Sequence, residues 1–207
     1  MNTIITSLAL TFVGADIGRH PVAAVLKSLV REPVLRLSSW ARCFNAASAS
    51  GNWTIRGLDS PSTSLGQQPF RAPSVFNYYR PGYTPPNSSI ATAGLVAPEF
   101  QIVGETSVVG YTNFMQSVIV NGAGVAVNGV RDVRADYTAE QAAADNADAL
   151  IDRVDRCLTS GAMPAAMRQE IRTAVNAISV STATGRDNRV HTAILLTMAS
   201  PEYLVQK

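Results

Sequence analysis

The sequence DNRVHTAILLTMA at residues 187–199 decides the fold class. Its apolar side chains recur at intervals of three and four residues, which places them on one face of an α-helix. Asp187 can cap the amino end of that helix, and Pro201 would stop it. The pattern predicts a helix whose buried face contains Val190, Ile194, Leu195 and Met198.

Helical spacing of apolar residues continues through most of the chain. It predicts further helices over most of residues 21–47, and over residues 108–120, 147–159 and 164–178. Pro33 would break the first of these, and residues 138–141 resemble a capping box. We therefore expect a mainly α, single helical domain over residues 1–207.

One short segment has the pattern of a different structure. Asn128 and Gly129 lie between apolar residues, which is a strong short-range signal for a β-hairpin. A plain loop would give a similar sequence at residues 125–133. The fold prediction thus includes one small hairpin or a loop in its place.

Residues 50–104, called the excursion below, interrupt the helical pattern. They contain seven of the chain's 11 prolines, and each proline removes a backbone donor and restricts the residue before it. Regular structure must therefore be short here. The segment is also rich in aromatic residues, which can bury enough area to order it. These are Phe70, Phe76, Tyr78, Tyr79 and Tyr83.

Residues 67–83 of the excursion are the candidate binding surface. Planar rings beside guanidinium groups can stack on sugars or bases, or hold an anionic polymer. The alternative, which we favour, is a loop that folds over the helical core with its rings inward. The candidate ligand-binding residues are Gln67, Arg71, Phe76, Asn77, Tyr78, Tyr79 and Arg80.

Composition argues against several functional classes. Seventeen Lys and Arg against 15 Asp and Glu give a net charge of +2 without a long basic run, so we expect no nucleic-acid partner. Two cysteines and two histidines supply few metal ligands, and no apolar run reaches the ~18 residues of a membrane span. Phosphate-binding glycine motifs and the Gly-x-Ser-x-Gly motif do not occur. We expect no metal, no cofactor and no transmembrane segment.

Four aspartates recur at helical spacing, at positions 145, 148, 152 and 155. Such a row can bind a divalent metal or serve as an acid–base face. We interpret it instead as a solvent-exposed helix face, assisted by Arg153 and Arg156.

Isolated histidine and cysteine residues have structural interpretations. His191 is expected at the edge of the core, and Cys43 is expected to be a buried thiol. In an exported protein Cys43 and Cys157 could pair, but the sequence does not show whether their Cα atoms are close enough.

The amino-terminal residues 1–19 form a signal-like or truncated segment. Residues 4–13 are mostly apolar, and small residues follow them, as in an export signal. No Lys or Arg precedes the apolar stretch, so a buried or shortened helix is the favoured interpretation.

Three phrases connect the chain to a known family. They are LGQQPFRAPSVFNYY at residues 65–79, APEF at 97–100 and MASPEY at 198–203. Their order resembles the carboxy-terminal part of the bacterial "domain of unknown function 1800" family, and VLKSLVREP at 25–33 is similar to a segment that precedes it. The resemblance implies a mostly helical and often exported protein. It also implies a longer one, so the chain can be a fragment. The family has no established activity, so no catalytic residues are carried over.

These observations favour an uncharacterised structural or interaction module of an exported bacterial protein. Its expected partner is another protein, or the missing amino-terminal part of its own family domain. The alternative is a hydrolase acting on a polymer such as a polysaccharide, with residues 67–83 as its binding surface. The sequence leaves open whether the protein is an enzyme.

Overall fold

The computed structural model describes residues 31–204. In chain order its elements are α1 (Pro33–Cys43), β1 (Ala47–Ser48), α2 (Ser89–Thr92), a 3-10 helix (Pro98–Ile102), α3 (Glu105–Asn121), β2 (Ala123–Val127), β3 (Val130–Arg134), α4 (Thr138–Ala143), α5 (Ala147–Leu158), α6 (Ala165–Asn176), α7 (Ala183–Ala199) and α8 (Pro201–Leu204). The mainly α fold with a small β element is confirmed. The predicted helix over residues 21–30 and the segment 1–19 lie outside the described residues.

Helix α7 is the centre of the core. It packs against α3, α5 and α6, and every residue from 192 to 199 is buried. The second half of α7 is therefore surrounded on all sides, in line with the mostly apolar sequence TAILLTMA at residues 192–199. The prediction that Leu195 is buried is confirmed, since 3% of its surface is exposed.

The amino end of α7 differs from the prediction, whereas its carboxy end at Ala199 agrees with it. The cap is Thr182, whose hydroxyl accepts a hydrogen bond from the Gly185 backbone at 3.0 Å, so the helix begins one turn before the predicted cap Asp187. At the other end Ser200 has an extended backbone, and Pro201 opens α8. Proline suits a first helical position because it has no N–H to leave unpaired.

The β-hairpin is confirmed, and a third strand joins it. Asn128 and Gly129 have positive φ angles of 51° and 80°, as a tight hairpin turn requires. Strand β1 pairs antiparallel with β3, which gives the order β1-β3-β2. Two residues are too short a strand for any sequence pattern, so β1 was not predicted.

The predicted capping box at α4 is wrong. The backbone N–H and the hydroxyl of Thr138 both donate to the Asp136 carboxylate, at 2.9 and 2.6 Å. Thr138 is therefore the first residue of α4 and not its cap, which is Tyr137.

The aspartate row forms ion pairs between helices, which corrects the prediction of a wholly solvent-exposed face. The pairs are Asp145–Arg186, Asp148–Arg172, Asp152–Arg168 and Asp155–Arg168. Asp145 precedes α5, and the side chain of Asp155 is only 5% exposed. Arg153 contacts Glu140 instead. The row therefore joins α5 to α6 and the start of α7.

Cys43 and Cys157 are joined by a disulfide that connects the end of α1 to α5. Their Cα atoms are 5.6 Å apart, within the normal range for a disulfide. The prediction of a buried thiol at Cys43 is therefore wrong, since its sulfur is bonded. None of the helices within residues 31–204 is long and apolar enough to cross a membrane.

Candidate functional site

The first part of the excursion packs tightly on α3. Leu58 and Leu65 are buried in the core on either side of the close contact. A Cβ atom at Gly110 would lie 2.1 Å from the Pro61 carbonyl oxygen, so only glycine allows this approach. The expectation of an ordered excursion therefore agrees with the structure here.

Gln67 attaches the excursion to the start of α1. Its side chain is buried, accepts a hydrogen bond from the Val34 backbone at 3.3 Å and donates one to Glu32 at 3.2 Å. Both ends of the amide thus have partners within the protein.

Tyr78 and Tyr79 also tie the excursion down, and both are half-buried. The Tyr78 hydroxyl accepts from the Gln68 backbone N–H at 3.1 Å and is placed to donate to the Arg71 carbonyl at 2.9 Å. The Tyr79 hydroxyl donates to Glu32. Burial raises the pKa of Tyr79 above its ordinary value, and the contact with Glu32 raises it further. The prediction placed these rings against the helical core, but both are only half-buried, and their hydroxyls contact Glu32 and the turn backbone.

Phe76 does not follow that prediction, since 57% of its surface is exposed. Asn77 donates from its backbone to Ser74 at 3.1 Å, closing a turn with Val75 and Phe76 at its tip. A second turn, closed by the Arg71 backbone N–H on Gln68 at 3.3 Å, places the fully exposed Phe70 at its tip. We call the set Phe70, Val75 and Phe76 the apolar tips.

The two candidate arginines are exposed. Arg71 forms an ion pair with Asp59 at 3.4 Å. Arg80 is held through its backbone N–H, which donates to Gln101 at 2.7 Å. The seven candidate residues therefore divide into buried or half-buried tethers and an exposed surface, and their role as a ligand site remains a prediction.

A cleft that the sequence did not indicate lies beside α3. It has a volume of about 440 Å³, and its walls are α3, the excursion segment 55–64 and the hairpin. Arg56 and Arg131 line it together with Asn113, Phe114 and Ser117. We call it the arginine cleft. Its residues come from three separate segments, so no single motif could have revealed it.

A second cleft, of about 310 Å³, lies at the start of α4 and is called the histidine cleft. Asp136, Asp187 and His191 line it, and the His191 ring packs edge-on against Tyr137 with 5.5 Å between centroids. Burial lowers the pKa of His191, although the charge of Asp187 opposes this. Hydrogen bonds from Thr138 lower the pKa of Asp136. The predicted position of His191 at the core edge agrees with this half-buried site.

Metal ligation finds no support in the described part of the chain. Residues 31–204 contain no group of three or more His, Cys, Asp or Glu side chains that could hold a metal ion.

Comparison with known proteins gives one family. A family model described as "Protein of unknown function (DUF1800)" matches residues 6–205, which is most of the chain. The chain belongs to the DUF1800 family. No curated protein and no solved structure matches it significantly.

In this DUF1800 protein the phrase at residues 198–203 has a structural explanation. The Ser200 hydroxyl donates to the Thr197 carbonyl at 2.8 Å and accepts from the Tyr203 backbone at 3.2 Å, which fixes the turn between α7 and α8. Tyr203 is then buried, with its hydroxyl 3.4 Å from the Arg36 carbonyl. The phrase thus joins the carboxy-terminal turn to α1.

Proposed function

We propose that this DUF1800 protein is an interaction module of an exported bacterial protein, with the apolar tips as its contact surface. The observation that supports the proposal is the exposure of Phe70, Val75 and Phe76, at 106%, 95% and 57%. Exposed apolar patches on folded proteins mark interaction sites, and aromatic residues dominate the binding energy of interfaces.

The two turns that carry the apolar tips are held in place by hydrogen bonds, which supports a role in binding. The Tyr78 hydroxyl contacts the backbone of Gln68 and Arg71, so it links the second turn to the first. A loop that is already ordered loses less conformational entropy when a partner binds. The apolar tips are therefore presented at low entropic cost.

Export has its own support in the disulfide between Cys43 and Cys157. Disulfides persist in oxidising compartments and are rare in the cytosol. The family resemblance points the same way.

Site-specific photo-crosslinking in the native host tests the interaction. A photoreactive phenylalanine analogue at position 70 or 76 should give the same discrete protein adduct. The same analogue at Leu35, an exposed residue on α1, is the matched control and should not. A Phe70→Ser, Phe76→Ser variant should melt like the parent protein and bind no partner. Absence of an adduct at both tips, or equal adducts at Leu35, would contradict the proposal.

The alternative, a hydrolase acting on a polymer, is favoured by the histidine cleft. Burial keeps His191 neutral near pH 7, and a neutral imidazole can accept a proton from an attacking water. Asp187 lies one turn before His191 on α7 and would stabilise the resulting imidazolium. Release of reducing ends from a panel of polysaccharides tests this function. His191→Asn should abolish any turnover, and turnover equal to the parent's would exclude this site.

A further inference from the structure

We propose that the arginine cleft binds an acidic sugar, meaning a pyranose ring that carries a carboxylate or a sulfate group. The site is separate from the apolar tips, and the inference does not depend on the proposed interaction. Its basis is the charge, the hydrogen-bonding groups and the shape of the cleft.

The charge of the cleft is positive and uncompensated. Arg56 and Arg131 are its ionic lining groups, and no Asp or Glu lines it. Within residues 31–204 the Arg56 side chain has no hydrogen bond or ion pair. Arg131 donates one hydrogen bond to the Gly124 carbonyl at 2.8 Å, which orients its guanidinium and leaves other N–H groups available. Guanidinium groups bind carboxylates and sulfates in a bidentate manner, so the cleft favours an anion.

Neutral polar groups face the same space. Gly110, Asn113 and Ser117 recur at helical spacing on one face of α3. Gly110 receives the excursion, and the next two residues line the cleft. Neither Asn113 nor Ser117 has a side-chain hydrogen bond within the described residues, so both are available to sugar hydroxyls. A bare inorganic anion would not use them.

The apolar part of the lining suits a sugar ring. Phe114 is half-buried and lines the cleft between Asn113 and Ser117. The C–H face of a pyranose is apolar and flat, and an aromatic ring offers it a matching surface. Small-ligand sites combine such apolar walls with a few polar groups, in volumes of roughly 300–1,000 Å³. The 440 Å³ of this cleft lies within that range.

The walls are fixed before a ligand arrives. The contact of Pro61 with Gly110 holds one wall against α3. A Cβ atom at Gly124 would lie 3.0 Å from the Thr54 carbonyl oxygen, so the hairpin also lies close to the excursion. Preformed walls reduce the entropy lost on binding.

Calorimetric titration of the full 207-residue chain tests the proposal. The probes are digalacturonate, galactose 6-sulfate, neutral galactobiose and inorganic phosphate. At least one acidic sugar should bind roughly tenfold or more tightly than both galactobiose and phosphate. The two acidic sugars distinguish a carboxylate from a sulfate ligand.

Variants locate the site. Arg56→Gln and Arg131→Gln should each weaken binding roughly tenfold or more, because each removes charged hydrogen bonds. Arg42→Gln is the matched control, since Arg42 is exposed at the end of α1 and outside the cleft, and it should bind like the parent. Arg56 has no partner within the described residues, so its variant separates binding from folding, and melting temperatures verify this.

Three results would overturn the proposal. The first is that neither acidic sugar binds. The second is equal binding of galactobiose or of phosphate, which would mean that the acidic sugar is not recognised as such. The third is unchanged binding in Arg56→Gln with loss in Arg80→Gln, which would place the ligand on the excursion instead.

Discussion

Reduction of the disulfide between Cys43 and Cys157 should destabilise this protein strongly. The bond joins residues that are 114 positions apart in the sequence, so it greatly restricts the number of conformations open to the unfolded chain. For a loop of that length the chain-entropy relation gives ~16 cal/mol/K, or ~5 kcal/mol at room temperature. A domain of this size has a free energy of unfolding of about 5–15 kcal/mol, so the bond contributes a large share.

The assay is thermal unfolding followed by circular dichroism, with and without a reductant. We expect the melting temperature to fall by roughly 10–20 °C on reduction, from ~2–4 °C per kcal/mol in a domain of this size. The Cys43→Ala, Cys157→Ala variant should melt near the reduced parent and should not respond to reductant. That variant is the control for other effects of the reductant.

Two outcomes would refute this reasoning. Titration of two free thiols in protein purified from an oxidising compartment would show that the bond does not form. An equal response of parent and variant to the reductant would show that the bond does not stabilise the fold.

Three further predictions concern buried groups. Leu195→Ala should lower the free energy of unfolding by ~2–5 kcal/mol, because it leaves a cavity around α7, and a denaturant titration with an unchanged midpoint would contradict this. Asp155→Asn should cost ~1–3 kcal/mol, because it weakens the hydrogen bonds of a buried carboxylate while Arg168 keeps its pair with Asp152. Asp152→Asn, at a side chain that is 53% exposed, should cost ~1 kcal/mol or less in the same titration. Burial raises the pKa of Tyr111 above its ordinary 10.0. The stability contributed by its neutral hydroxyl is therefore complete below pH 10 and is lost as the pH rises through the folded-state pKa. Tyr111→Phe should flatten this alkaline loss of stability, and an identical loss in parent and variant would contradict the prediction.

Local sequence patterns identified the helices because helix formation depends on neighbours three and four residues away. Residues 108–120, 147–159 and 164–178 were predicted, and the structure has helices at each. The Asn128-Gly129 turn was found for the same reason, since its positive φ angles are a property of those two residues. Caps were less predictable, because Thr182 and Asp187 are both good cap residues, and only the structure shows that Thr182 accepts from the Gly185 backbone.

The candidate binding segment was recognised from composition, but its orientation was not. Proline content predicted an irregular path, and aromatic content predicted order. Hydrogen bonds to Glu32 and to the turn backbone hold the hydroxyls of Tyr78 and Tyr79, which are half-buried, while Phe76 is exposed. Those partners lie elsewhere in the chain, so the aromatic content of the segment could not predict which of the three rings is exposed.

The sequence by itself determined the helical class, the hairpin and the family, because periodicity, turn chemistry and phrase order are properties of the linear chain. Only the tertiary structure decided the disulfide, the aspartate–arginine pairs and both clefts. Each of these depends on side chains from distant segments, such as Arg56 with Arg131 or Asp155 with Arg168. The distance between such groups is set by how the helices pack around α7, and packing depends on the shape of the whole core.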